Sequence, residues 1–426
     1  MTLKPPAMTA PDSGPVLAPG VPAASAAPRE RLLSLDIFRG MTVAGMLLVN
    51  NPGTWSAIYP PLGHVAWHGW TPTDLIFPFF LFIVGITTHL SLSSRRAAGV
   101  PEGQLVRQVL KRGALIFLVG FLLSGFPFIA WGDIPGNPDP TLLDRFVRRL
   151  ETWRLLGVLQ RIGLAYAFAA LLTLRLSLKG QVVALVAILY GYWFAMTLIP
   201  VPGQGEIGAL LIDDPSRTLA AWLDRTLLDW RRFGLGNHIY AGARTWDPEG
   251  VLSTIPAIGT AMLGTITARW IARQMPLAEK LAGLFAAGSL GIVAGLMWNW
   301  SFPINKGIWT SSYVVFTAGV ACVTLATIMW LVDLNGIRRG TKFFVVYGSN
   351  PLVAFVGSGV MARLIYSIIK VDYQGSAVSI QSAIYRSVFA SWLEPRNASL
   401  AFAICFVLLW YGILWVLWKR RIFVKL

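Results

Sequence analysis

The sequence predicts an all-α fold: a polytopic membrane helix bundle of about ten transmembrane helices, both termini cytoplasmic. Three observations carry this. Apolar residues make up 55% of the 426 residues and charged ones 13%, with a mean hydropathy of +0.60. A soluble domain carries about 25% charged residues. About ten apolar stretches approach the ~20 residues that a helix needs to cross a bilayer. Runs such as LIFLV at 115–119 lack the alternation of a membrane barrel strand. The 18 Trp and 41 Gly suit interface anchors and close helix contacts. Cys322 and Cys405 both lie in apolar runs, which argues against a disulfide framework or a structural zinc site.

Residues 1–30 are rich in Ala, Pro and Ser and are expected to form a disordered cytoplasmic tail. They contain no apolar run of the kind a signal peptide needs. Residues 31–426 form the membrane domain. The expected spans are 35–52, 75–93, 112–131, 155–176, 181–199, 251–272, 280–299, 308–331, 343–369 and 399–418. Lys and Arg set their orientation. With the N-terminus inside, the inner segments hold 21 of the 36 basic residues and six of the 20 acids, a net of +15. The outer segments hold 13 basic and 14 acidic residues, a net of −1, while Arg161 and Arg363 fall within helices. The overall +16 is therefore a membrane-orientation signal and requires no nucleic acid.

Taken in order, SLDIFRG at 34–40 opens the first span from inside. Asp36 and Arg39, three apart, can pair on one face of that helix. The span closes on a polar Asn50-Asn51-Pro52-Gly53 turn, whose amides suit a carbonyl or sugar hydroxyl and equally suit a plain helix end. GHVAWHGWTPTD at 63–74 enters the second span from outside and holds two of the four histidines, His64 and His68. Imidazole suits proton transfer near neutral pH, and Asp74 is near enough to orient it. The competing reading is an interfacial loop with Trp67 at headgroup level; zinc would want a third ligand.

The fourth span contains Gln160 and Arg161. An intramembrane charge costs at least about 2.5 kcal/mol on insertion scales, and Arg suits phosphate. Snorkelling or a buried ion pair is the alternative. The long outer loop 200–250 carries seven acids and ends on TWDPEG at 245–250. Asp247 and Glu249 there can hold a sugar or favour a helix N-terminus. Asn305 and Lys306 lie in the short outer loop before the eighth span, and Asn350 interrupts the ninth. No Walker A loop, GxSxG elbow or HExxH occurs.

Together these stretches resemble the heparan-α-glucosaminide N-acetyltransferase family, including its bacterial NagX-type members. The matching pieces are RLLSLDIFRG at 31–40, Val49-Asn50, HVAWHGWTPTDLIFPFFLFIVG at 64–85, Gly157–Gly163, Asp247–Gly250 and Pro303–Lys306 with Trp309 and Tyr313. The resemblance implies a membrane acyltransferase that uses cytosolic acetyl-CoA as co-substrate and acetylates the amine of a glucosamine-type sugar on the far side. His64 matches the catalytic histidine, Asn50 an active-site asparagine and Asp74 the motif aspartate. Cofactor binding is then expected of Arg39, Gln160, Arg161 and Asn350, and substrate binding of Trp67, Asp247, Glu249, Asn305 and Lys306, with no metal. Direct transfer and a ping-pong route through acetyl-His64 both fit. Expected partners are membrane lipids, acetyl-CoA and an amino-sugar acceptor, with a homodimer open; the expected location is a bacterial inner membrane. The rival readings are an amino-sugar transporter, which would want inverted repeats, and an O-acyltransferase of envelope polysaccharide.

Overall fold

A computed structural model describes residues 32–424, so the tail expected over 1–30 lies outside the described residues. The described chain is mainly helical, with a single short strand hairpin. Eight of its helical segments are long and apolar enough to cross a membrane, as in a multi-pass membrane protein. Each of the ten expected spans falls on helix. They correspond to α1 (Leu33–Asn50), α2 (Ile76–Ala97), α3 (Glu102–Gly125), α5 (Val158–Arg175), α6 (Leu178–Leu198), α8 (Thr254–Ile271), α9 (Leu277–Trp298), α10 (Ser311–Met329), the pair α11 (Thr341–Ser349) and α12 (Pro351–Arg363), and α14 (Pro395–Lys419).

Helix starts follow local chemistry. A 3-10 turn, Pro72–Leu75, leads into α2 and is closed by a reciprocal cap between Thr71 and Asp74. The Ser177 hydroxyl accepts from Gly180 N at the start of α6. Pro351 and Pro395 open α12 and α14, where a missing N–H costs nothing.

Four features depart from the sequence expectation. The third span begins at Glu102, well before 112, because the charged first turns continue the helix. The ninth is two helices parted at Asn350-Pro351, where proline cannot continue the first of them. The outer segments contain two short helices, α4 (Leu142–Glu151) and α7 (Leu219–Leu228). Finally, Lys370–Tyr373 (β1) and Ser376–Ser379 (β2) form an antiparallel hairpin before the short α13 (Ile380–Ile384).

On α4 the apolar side chains Leu142, Leu143, Phe146, Val147 and Leu150 are exposed. Its basic face is turned onto the chain: Arg149 donates to the carbonyls of Ser124, Gly125 and Phe126 at the end of α3.

The buried core has two main parts. One lies among α2, α5, α6, α8 and α10, with Leu81, Leu159, Ala165, Ala261, Val314 and Phe316. The other lies among α1, α11, α12 and α14, with Val43, Leu47, Tyr347, Ala354, Phe406 and Trp410. Close backbone contact fixes the α2–α8 crossing. A Cβ on Gly85 would stand 2.0 Å from Ala261 O, and one on Gly264 would stand 2.1 Å from Phe82 O.

Hydrogen bonds tie four outer segments together at one end of the bundle. Gly69 N donates to Ile304 O, Trp67 Nε1 to Ile212 O and Gln381 Nε2 to Gly53 O.

Candidate active site

The site grows from the segment before α2. Gly69 takes a left-handed conformation (φ 99°) that a side chain would strain, and turns the loop against Ile304. The Thr71 hydroxyl donates to Gly63 O at 2.7 Å and so fixes the residue beside His64. Trp67 packs edge-on against Trp246 at 5.2 Å between centroids. Gly307 lies beneath both rings, and a Cβ there would meet Trp67 at 2.8 Å.

Asp74 is buried to within 1% and its two oxygens have separate duties. Oδ2 accepts from Val65 N (3.2 Å) and Thr71 N (3.0 Å) and lies 3.0 Å from Thr71 Oγ1, whose proton it shares with Gly63 O. Oδ1 lies 2.7 Å from His64 Nδ1 and 3.3 Å from Lys306 Nζ. Lys306 Nζ is also 3.1 Å from His64 Nδ1. An ionised carboxylate only accepts, so Nδ1 carries the proton and donates to Oδ1. That leaves Nε2 without a partner among the described residues, on a ring whose side chain is 46% exposed. Tyr313 OH donates to the Asp74 carbonyl at 2.5 Å, pinning the backbone of the same residue from α10.

His68 is in a different state. Its Nε2 meets Asp213 Oδ1 at 2.9 Å, and the Asn305 amide donates to its Nδ1 at 3.3 Å. Asn305 also accepts from Ile308 N (3.1 Å) and is wholly buried, so it frames the loop that presents Lys306.

A buried ionic cluster adjoins this centre. Arg154 forks onto Asp247 and Glu249. Burial would lower the Arg154 pKa, but the two carboxylates raise it above the usual guanidinium range. Burial likewise works to raise Glu249, and Arg154 and Arg161 pull it below the usual carboxylate range. Asp224 on α7 accepts from Asp247 N and Val251 N, both at 3.0 Å. Burial pushes Asp224 up to about 6 against those two N–H groups, with the Asp247 carboxylate adding to the rise. Arg161 is 1% exposed; its Nη2 reaches Ser253 Oγ at 2.5 Å and Gly250 O at 3.3 Å, and its guanidinium lies 5.1 Å from the Trp309 ring centroid. Its Nε and Nη1 have no protein partner.

The structure thus brings together His64, Asp74, Lys306, Trp67, Asn305, Asp247, Glu249 and Arg161 at one end of the bundle. Gln160 is beside Arg161, buried against Gly120 and bonded to Leu155 O. Asn50 ends α1 at the same end; its side chain is exposed and makes no hydrogen bond among the described residues. Its neighbour Asn51 is buried and bonds Leu47 O.

Arg39 and Asn350 stand apart. Arg39 pairs with Asp36 and reaches Gly348 O, eleven residues down α1 from Asn50, which is roughly 16 Å of helix. The Asn350 amide bonds Ile422 O and Val424 N, beyond the last turn of α14, so it tethers the tail. The sequence reading missed Arg154 and Asp224. Their partners lie 23 to 95 residues away, and no local pattern marks them.

The comparisons with known proteins point the same way. Residues 31–296 match the family model described as heparan-alpha-glucosaminide N-acetyltransferase, catalytic. The chain is 29% identical over 376 residues to the human heparan-alpha-glucosaminide N-acetyltransferase, covering 77% of this chain and 52% of that protein. It is 27% identical over 445 residues to the mouse protein of the same name, covering 93% of this chain and 60% of that protein. The chain thus spans about half the length of the curated relatives it matches. With more than half of its residues inside the matched region, the chain belongs to the heparan-alpha-glucosaminide N-acetyltransferase catalytic family.

Proposed function

We propose that this chain is a transmembrane N-acetyltransferase that moves an acetyl group from acetyl-CoA to the amine of a glucosamine-type sugar. The observation that carries the reading is the state of His64. Asp74 engages Nδ1, and Nε2 has no partner among the described residues on a half-exposed ring. In the reaction the amine attacks the thioester carbonyl, the C–N bond forms, and the C–S bond breaks to release CoA thiolate. Nε2 takes the proton that the nitrogen sheds; a positioned base of this kind contributes about 10²–10⁴-fold. The unbonded Asn50 amide is assigned to the developing oxyanion, a role worth about 10²–10³ in rate.

Charge counting supports an inner face for the nucleotide end of CoA, where Arg39 and Asn350 stand, with the thioester end reaching Arg161 and Gln160. It also favours the far face for the His64 loop, and with the resemblance to bacterial members of the family we assign the acceptor to the periplasm and the chain to a bacterial inner membrane. Lys306 lies on the Asp74 side of His64. Trp67, on the His64 loop and packed against Trp246, is assigned to sugar contact. Asp247, Glu249 and Asn305 spend their polar atoms on protein partners, so we assign them to the frame of the site ahead of direct sugar contact. The test is transfer of labelled acetyl from acetyl-CoA to glucosamine by purified protein, set beside uptake of glucosamine into vesicles. Transfer without uptake is expected; uptake without transfer overturns the reading.

A further inference from the structure

Lys306 is placed where a sugar ligand was expected, but its ammonium is spent inside the protein. It stands 3.3 Å from Asp74 Oδ1 and 3.1 Å from His64 Nδ1, while Oδ2 is already filled by Val65 and Thr71. One carboxylate oxygen therefore serves two cations-in-waiting. We propose that Lys306 is a positioning residue that shares Asp74 with His64 and keeps the imidazole neutral, so that Nε2 stays available as a base at working pH. This rests on the acetyltransferase reading of the same site.

The physical argument is a balance of charges. A carboxylate bonded to a histidine favours the imidazolium, which would close Nε2 with a proton. An ammonium within about 3 Å opposes that second positive charge. The Asp74–Lys306 pair then orients the ring without holding it charged. Lys306 is itself held from behind. Burial lowers its pKa, and the carboxylates of Asp74 and Glu249 act in the opposite direction. Glu249 is fixed by Arg154 and faces Arg161. The remaining titratable groups of this surround are His68 with Asp213, which are bonded to each other, and the Tyr313 hydroxyl, which is spent on the Asp74 carbonyl. Among these groups only Lys306 touches both members of the pair.

The chain has four histidines, so carbon-labelled histidine NMR of the full-length protein in detergent can follow His64 directly, with His64→Gln identifying its signal. In Lys306→Met the His64 titration should move up by about one pH unit or more. The acid limb of kcat/KM for acetyl-CoA and glucosamine should move with it. Lys306→Arg keeps the charge and should titrate like the parent. Lys306→Gln, which keeps a donor without charge, should shift as the methionine variant does and serves if that variant fails to fold. An unmoved His64 titration in a folded uncharged variant overturns the proposal, as does a rise in glucosamine KM alone with an unchanged pH profile. If the titration moves but His64→Gln keeps full acetyl transfer, the coupling stands and the acetyltransferase reading of His64 falls instead.

Discussion

His64 and His68 sit four residues apart on one loop, yet the structure leaves only one of them a free ring nitrogen. Both nitrogens of His68 are engaged, by Asp213 and Asn305. His64→Ala should therefore cut acetyl transfer by about 10²–10⁴-fold or more, while His68→Ala gives a much smaller loss. Both are read as kcat at saturating glucosamine. Near-normal turnover in His64→Ala would remove it from the chemistry. Asp224 carries a second residue-scale prediction. Burial sets its pKa at about 6, above the ordinary value of 3.8. An acid raised in this way binds more protons folded than unfolded, so its stability contribution is full below pH 4 and is lost as pH rises through 6. That window spans on the order of 3 kcal/mol. Asp224→Asn should flatten the fall in unfolding temperature between pH 4 and 6, and an unchanged slope would assign it to other groups.

At the scale of elements, the crossing of α2 with α8 joins the helix that follows the His64 loop to the one that follows Asp247 and Glu249. Gly264→Ala puts a Cβ where Phe82 O already stands, and a backbone atom cannot swing aside as a side chain can. The loss should be on the order of 2 kcal/mol, measured as unfolding temperature in detergent. Gly412→Ala on α14 meets nothing within 4 Å and should be neutral or stabilising by up to about 1 kcal/mol. Equal losses at both positions would mean that the crossing is not the tight contact. The long apolar elements were legible in the sequence because hydropathy alone dictates them. The short α4 was not read, although Thr141 and Asp144 cap it and its apolar residues recur at helical spacing. Its stripe faces outward while Arg145 and Arg149 turn inward, the reverse of a soluble helix. Within the site, the His64 loop could be read because its members lie within eleven residues. The Arg154 fork could not, since its carboxylates arrive from beyond two further membrane helices.

For the whole molecule, the charge asymmetry predicts that both termini face the cytoplasm and that the His64 loop faces out. A reporter fused after Leu426 should behave as cytosolic, and a cysteine placed at Gly63 should label with an impermeant reagent in intact cells. Labelling at the C-terminus but not at position 63 would invert the arrangement and put the acceptor on the other side. The ends of α1, α2, α5, α8 and α10 nearest the His64 loop frame the candidate site together, so no single hairpin of helices contains it.

The residues just past Asn50 are held from far along the chain. Gly53 N donates to Ser399 O, Gln381 Nε2 to Gly53 O and Tyr366 OH to Pro52 O. All three partners, and Lys306 as well, lie beyond residue 296, where the family match stops. The region that the family model matches therefore leans on residues from beyond it. A chain cut at its boundary would keep His64 and Asp74 but lose the footing of Asn50 and the ammonium beside Asp74. On the proposed function, the smallest working unit is expected to run past Ser399, with the stretch beyond Tyr313, which carries none of the matching motifs, serving as ballast for the turn after Asn50.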